Sequence, residues 1–197
     1  RKSAYWATHW AQAWIAVHFL PLRAASDKTW LTQPVQQLSE NQATRGEHIT
    51  CYFRDGNGLK ILQCLSENGI PVHCFGHPAV PLPRVKFYPF ERTRFVDSLC
   101  QCKAVIASAG SNLLAESVHL KKPVFALYQS DDSEQRLNAE MIKAENIGHG
   151  SSFNDFNWKK MEAFLSLVET EKFTKIQLKT PDMITGTLQA IQEISGR

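Results

Sequence analysis

From residue 48 onward the chain alternates two hydrophobic rhythms. Short runs rich in Val, Ile, Phe and Tyr give way to stretches in which apolar residues recur every three or four positions. The first rhythm suits strands and the second suits one face of a helix. The pattern predicts strands over His48–Phe53, Ile70–Phe75, Val85–Phe90, Ala104–Ala107 and Pro123–Tyr128. It predicts helices over Leu59–Asn68, Thr93–Cys102, Asn112–Leu120, Ser133–Glu145, Trp158–Thr170 and Pro181–Ile194. Leu59, Leu62 and Leu65 share a face of the first helix, and Gly69 is placed to stop it. Phe95, Val96 and Leu99 point inward on the second, and the helix from Ser133 stops near Gly148. Strands alternating with helices of this length imply parallel βαβ units, hence an α/β fold with a doubly wound parallel sheet.

Residues 1–46 read differently. Trp6, Trp10, Trp14, Val17 and His18 fall at helical spacing, yet Ile15–Leu22 also reads as a strand running to Pro21. Trp30–Leu38 carries Pro34 inside it, and Gln36–Glu47 is polar and aperiodic, as a linker is. The expected division is therefore residues 1–46 as the remnant of one domain plus a linker, and residues 47–197 as a sheet domain with C-terminal helices.

Bulk properties narrow the function classes. The 197 residues, 43% hydrophobic, are enough for one full domain and part of another. A net charge of +3 without a basic run gives no nucleic-acid footprint. The longest apolar stretch, Trp10–Leu20, is broken by Gln12 and His18 and falls short of the ~18–20 residues that span a bilayer. Five cysteines, mostly inside apolar runs, fit reduced buried thiols and a cytoplasmic protein. Cys100 and Cys102 lie C-x-C with no second pair nearby, too few ligands for tetrahedral zinc. The chain begins at Arg1 rather than Met, as a fragment of a longer protein would.

Ligands of doubly wound sheets sit beyond the carboxyl ends of the strands, so the candidate chemistry lies in the loops there. Ser108-Ala109-Gly110-Ser111-Asn112 ends an apolar run in small residues and opens a helix. Small residues allow close approach, and the first amides of a helix lack internal partners and favour an anion. No Gly-Lys-Ser/Thr follows and the three-glycine dinucleotide pattern is missing, so this is neither a Walker loop nor that fingerprint. The bland alternative is an N-cap turn holding water. Glu116, further along the helix, can accept two hydrogen bonds from a vicinal diol or merely complement the helix dipole. Glu134 and Gln135 open the next helix with an acceptor beside a donor–acceptor, as sugar hydroxyls require. Asn138, one turn on, is placed to brace the loop, and Asp131, Asp132 or Ser133 to cap the helix. Asp131-Asp132-Ser133-Glu134 resembles a metal-seeking cluster, but no acidic residues recur at EF-hand spacing, so no metal is expected. Phe90, Glu91 and Arg92 end the third strand, where Phe90 either meets a base, with its ring over it or its backbone at the base edge, or packs in the core. Gly56, in the turn Arg54–Gly58, and His77, after Gly76, also stand in post-strand loops. No order of Ser, His and Asp or of Cys and His suggests a covalent nucleophile.

Taken together, Gly110-Ser-Asn-Leu-Leu-Ala-Glu116, Lys122-Pro-Val-Phe-Ala-Leu127, Glu134-Gln-Arg-Leu-Asn-Ala139 and Gly148 resemble the C-terminal donor-binding domain of GT-B-fold glycosyltransferases. The nearest type is glycosyltransferase family 28, with its muramyl-pentapeptide GlcNAc transferase and UDP-glucuronosyltransferase relatives. Val85–Phe90 with Phe95–Leu99 extends the likeness, which covers about residues 47–165. The resemblance implies a cofactor-free, metal-independent, usually inverting transfer of a sugar from a UDP-sugar to a carbohydrate or lipid-linked acceptor. A lipid-linked acceptor would bring the protein to the inner membrane face. Ser108–Asn112 would then cradle the diphosphate, Glu116 the ribose, and Glu134 and Gln135 the donor sugar, with Phe90–Arg92 beside the uracil. Two departures stand out: Arg54–Gly58 lacks a Gly-Gly-Ser type of turn, and Glu134 stands where Asp is common. The general base would come from the N-terminal domain, leaving no catalytic residue assigned in this chain. Two alternatives stay open: a UDP-sugar hydrolase of the same fold, and a non-catalytic donor-binding subunit that needs a partner.

Overall fold

The computed structural model describes residues 14–20, 22–24, 26–34, 38, 43–53, 56–177 and 179–196. The helical spacing of Trp6 and Trp10, and Arg54 with Asp55, lie outside the described residues. Two compact units emerge, Arg1–Gln37 with Leu178–Arg197, and Leu38–Gln177. The expected division fell after residue 46 and kept the last helix with the sheet. Here the break falls before Leu38, and the last helix groups with the N-terminal unit.

In the smaller unit, strands β1 (Trp14–Val17) and β2 (Thr29–Thr32) pair in parallel. Of the two sequence readings for this region, the strand is the one observed at Trp14–Val17.

The larger unit runs β3 (Ile49–Tyr52), α1 (Leu59–Glu67), β4 (Val72–Phe75), β5 (Val85–Tyr88), α2 (Arg92–Gln101), β6 (Ala104–Ser108), α3 (Ser111–His119), β7 (Val124–Tyr128), α4 (Ser133–Ala144), β8 (Gly148–Ser152) and α5 (Trp158–Glu169). The chain ends in α6 (Met183–Ser195), which returns to the smaller unit. There Gln33 N donates to Pro181 O, and Met183 N donates to Gln33 O. Gly186 lets the helix lie against β2, because a Cβ there would stand 2.3 Å from Thr32 Cγ2.

The six strands of the larger unit pair in parallel in the order β5-β4-β3-β6-β7-β8. The order reverses between β3 and β6, which is where a doubly wound sheet opens a crevice. Both faces are covered. Ile49 and Cys51 of β3, with Phe53, Ile106 and Phe125, pack against Leu62 and Leu65 of α1 and Met161 and Phe164 of α5. On the opposite face Thr50 Oγ1 donates to Ser98 O of α2 at 3.1 Å. Cys51 and Cys74 are buried free thiols. Desolvation drives the Cys74 pKa up to about 12 and raises that of Cys51, so both stay protonated.

Three local expectations change. Val96 is only half-buried, whereas Phe95 and Leu99 are buried as expected. Residues 43–46 are pinned rather than loose, since Thr44 N donates to Cys100 O and Gly46 N to Gln101 O. Gly148 does not stop α4. Asn146 does, in the left-handed region at φ 53°, and Gly148 begins the edge strand β8. Gly-His-Gly-Ser-Ser has no apolar alternation, so its pattern gives no strand signal. Its glycines admit close packing instead: a Cβ on Gly148 would lie 1.8 Å from Val124 O, and one on Gly150 2.8 Å from Ala139 O.

Candidate functional site

A cleft of about 840 Å3 opens beyond the carboxyl ends of the strands, at the reversal point. Each βα connection contributes to it. Tyr52 and Asn57 come from β3 and its turn; Phe90, Arg92 and Phe95 follow β5. Ser108, Gly110, Ser111, Asn112, Leu113 and Glu116 come from β6 and α3. Gln129, Glu134 and Gln135 follow β7, and Phe153 follows β8.

The start of α3 is open. Gly110, the N-cap residue, is extended (φ −75°, ψ 134°), and no side chain caps the helix. The first helical bond is Leu114 N to Gly110 O. The amides of Ser111, Asn112 and Leu113 precede it, and α-helix geometry gives them no internal acceptor. A Cβ built on Gly110 meets nothing within 4 Å. The backbone there does not require glycine, so the small residue leaves room above the helix start. Ala109 is fully buried and sets the loop's floor, its amide bonded to Leu127 O at 2.7 Å.

The start of α4 differs. Asp132 caps it, its Oδ1 accepting from Gln135 N at 2.9 Å. Of the three sequence candidates for this cap, Asp132 is the one used, and Glu134 and Gln135 extend their side chains to the cleft. Ser111 Oγ donates to Glu134 Oε1 at 3.0 Å, joining the two helix starts. Asn138 does not line the cleft. Its Nδ2 donates to Ala109 O at 3.0 Å and reaches Ser111 Oγ at 3.3 Å, so it braces the loop from below. Gln135 Oε1 is buried without a hydrogen-bond partner among the described residues. A buried unpaired amide oxygen is costly and stands ready for a donor.

Arg92 Nη2 donates to Glu116 Oε1 at 2.6 Å. The Glu116 side chain is 17% exposed and the Arg92 side chain 44%. Phe90 is 55% exposed, with its ring 5.5 Å from that of Tyr52 and 5.6 Å from that of Phe95. Of the two readings for Phe90, core packing is thus excluded, and its ring stands at the cleft wall on an aromatic base.

Two candidates fall away. Gly56, at φ 73°, and His77 do not line the cleft. His77 Nδ1 lies 2.7 Å from Pro78 O, and its ring stands near Phe87 on the outer strand. Asn57, Gln129 and Phe153 line the cleft and were not singled out from sequence. Asn57 and Gln129 sit in loops after predicted strands, and that position was their one signal; Phe153 follows β8, which has no strand signal, so nothing in the sequence pointed to it.

With this geometry in view, comparison places the chain among known proteins. The family model described as glycosyl transferase family 1 matches residues 8–169. No curated protein matches. Among solved structures, MurG of Acinetobacter baumannii superposes with a TM-score of 0.63 at 14% identity, over 93% of this chain and 60% of that one. The glycosyltransferase SnogD of Streptomyces nogalater gives 0.53 at 14% identity, over 91% and 53%. The spinosyn forosaminyltransferase SpnP gives 0.60 at 14% identity, over 80% and 46%. At such identities the likeness concerns the fold, a Rossmann-like α/β domain of the GT-B type. The chain spans about half the length of these proteins.

Proposed function

We propose that this chain, which belongs to glycosyl transferase family 1, supplies the donor-binding half of an enzyme that transfers a sugar from a nucleoside diphosphate sugar, UDP-linked, to a carbohydrate or lipid-linked acceptor. The observation that carries this reading is the uncapped start of α3, open above Gly110 and flanked by Glu116. Free helix amides favour a diphosphate, because they offer donors and partial positive charge without desolvating a cation. In the transfer step the same donors would stabilise the charge that grows on the leaving diphosphate, the task a metal performs elsewhere.

The other roles are those the family resemblance implies, and each of these residues lines the cleft. The Glu116 carboxylate takes the ribose hydroxyls, and Phe90 and Arg92 face the base. Glu134 and the unpartnered Gln135 Oε1 take the sugar hydroxyls. The general base that activates the acceptor comes from the acceptor-binding half, and such an enzyme works in the cytoplasm or at the inner membrane face. No helix among the described residues is long and apolar enough to cross a membrane.

A thermal-shift panel with UDP, GDP and dTDP tests the reading. UDP is expected to give the largest rise in melting temperature. No rise with any of the three at millimolar concentration would overturn it.

A further inference from the structure

A second cavity, of about 280 Å3, lies at the other end of the same sheet, beside the residues that lead into β6, β7 and β8. Its apolar wall is formed by Val118 and Leu120 at the end of α3 and by Phe173. Five Lys and Arg side chains line it, against the single carboxylate of Glu171. Several of these cations are already matched at the rim. Arg45 bonds Glu169 at 2.8 Å and Glu171 at 3.1 Å, and Lys103 bonds Glu169 at 2.7 Å.

Lys122 is different. It is 6% exposed, and its ammonium donates to two neutral carbonyls, Thr44 O and, at 2.8 Å, Cys102 O. Among the described residues it has no carboxylate partner. An ammonium carries three hydrogens, so one is left without an acceptor among the described residues, on a side chain that lines the cavity. A neutral amide would tether Thr44 to Cys102 equally well and would avoid the cost of burying a charge. That cost already appears as a lowered Lys122 pKa, caused chiefly by desolvation. An anion in the cavity would supply the missing counter-charge. Pockets for drug-sized ligands run from roughly 300 to 1,000 Å3, so this one fits a compact molecule.

We propose that this cavity binds a small organic anion, its carboxylate or phosphate head on Lys122 Nζ and its apolar body against Val118, Leu120 and Phe173. The site is separate from the donor cleft, although α3 contributes Ser111–Leu113 and Glu116 to one and Val118 to the other.

The test is a titration of the full chain, followed by NMR, with octyl phosphate, octanoate, octanol and inorganic phosphate. At least one of octyl phosphate and octanoate should saturate a single site, with intermolecular NOEs from the alkyl protons to Val118, Leu120 and Phe173. Octanol and inorganic phosphate should bind at least tenfold more weakly. The tighter of the two charged probes identifies the head group. Lys122→Met should weaken the charged probe at least tenfold and leave octanol unchanged. Should that variant not fold, the wild-type NOEs and the ranking of the four probes decide. Absence of saturable binding by both charged probes, NOEs to other residues, or octanol binding as tightly as the tighter charged probe would overturn the proposal.

Discussion

Arg92 and Glu116 face each other across the cleft, with Arg92 Nη2 2.6 Å from Glu116 Oε1. Among the described residues the second carboxylate oxygen has no hydrogen-bond partner. The guanidinium therefore fixes the orientation of the carboxylate and leaves an acceptor for a hydroxyl. With Arg92 44% and Glu116 17% exposed, solvent still screens the pair, which contributes on the order of 1 kcal/mol to stability. Its residues can be changed with little effect on folding, so their effect on ligands can be read cleanly.

The first prediction uses that independence. UDP at a hundredfold excess over its dissociation constant should stabilise the chain by about 2.7 kcal/mol, a rise of roughly 5–10 °C in melting temperature for a chain of this size. Glu116→Ala should leave the ligand-free melting temperature within about 3 °C and remove most of the UDP-dependent rise. A full UDP response in Glu116→Ala would remove Glu116 from the ribose site.

Gly110 gives a second. Its φ of −75° suits any residue, and a Cβ meets open space. Gly110→Ala should change the unfolding free energy by less than about 1 kcal/mol, since the gain from a stiffer unfolded chain and the loss of a better N-cap residue are both small. The methyl would occupy the space above the free amides, so UDP affinity should fall at least tenfold. Denaturant unfolding and calorimetric titration read the two effects separately, and unchanged affinity would place the diphosphate elsewhere.

Gly148 makes the opposite case. A Cβ there would lie inside contact distance of Val124 backbone, which cannot move without disturbing β7. Gly148→Ala should cost about 3 kcal/mol or more by the cost of overpacking a rigid site. Urea unfolding measures it, and a loss below about 1 kcal/mol would mean that β8 is free to shift.

These glycines also mark where sequence reasoning stopped. Strands β3 to β7 and all the helices of the larger unit were legible because their apolar residues keep the period of the element. β8 has no such period, because what makes it a strand is the fit of Gly148 and Gly150 against β7 and α4, a tertiary fact. The loop Ser108–Asn112 could be found because an apolar run ending in small residues is visible in one dimension, and Glu134 and Gln135 because they open a helix with adjacent polar side chains. Asn57, Gln129 and Phe153 could not be singled out, since they join the cleft only through strand order. The pairing of Arg92 with Glu116 joins residues 24 apart through the sheet and carries no local signal.

A fourth prediction concerns pH. His48 and His73 stack with ring centroids 3.9 Å apart, and His48 Nε2 and His73 Nδ1 each lie 3.1 Å from Ser98 Oγ. Burial, then His48, then Lys86 push the His73 pKa down to about 4, and burial chiefly lowers that of His48. In the unfolded chain both imidazoles titrate near 6.5. Between about 4 and 6.5 the unfolded chain binds more protons, so stability rises with pH across that window. It is lost as pH falls from about 6.5 towards about 4, and the pair adds little slope above about 8, where the unfolded imidazoles are neutral. Urea unfolding at several pH values should show this slope, and His73→Gln should flatten it relative to wild type. Parallel profiles for the two proteins would contradict the assignment.

The most direct measurement is a crystal structure of the chain with UDP bound. The account predicts the diphosphate on the amides of Ser111, Asn112 and Leu113, with a ribose hydroxyl on Glu116. UDP bound away from the start of α3, or a start of α3 closed by the protein's own side chains at saturating UDP, would contradict it.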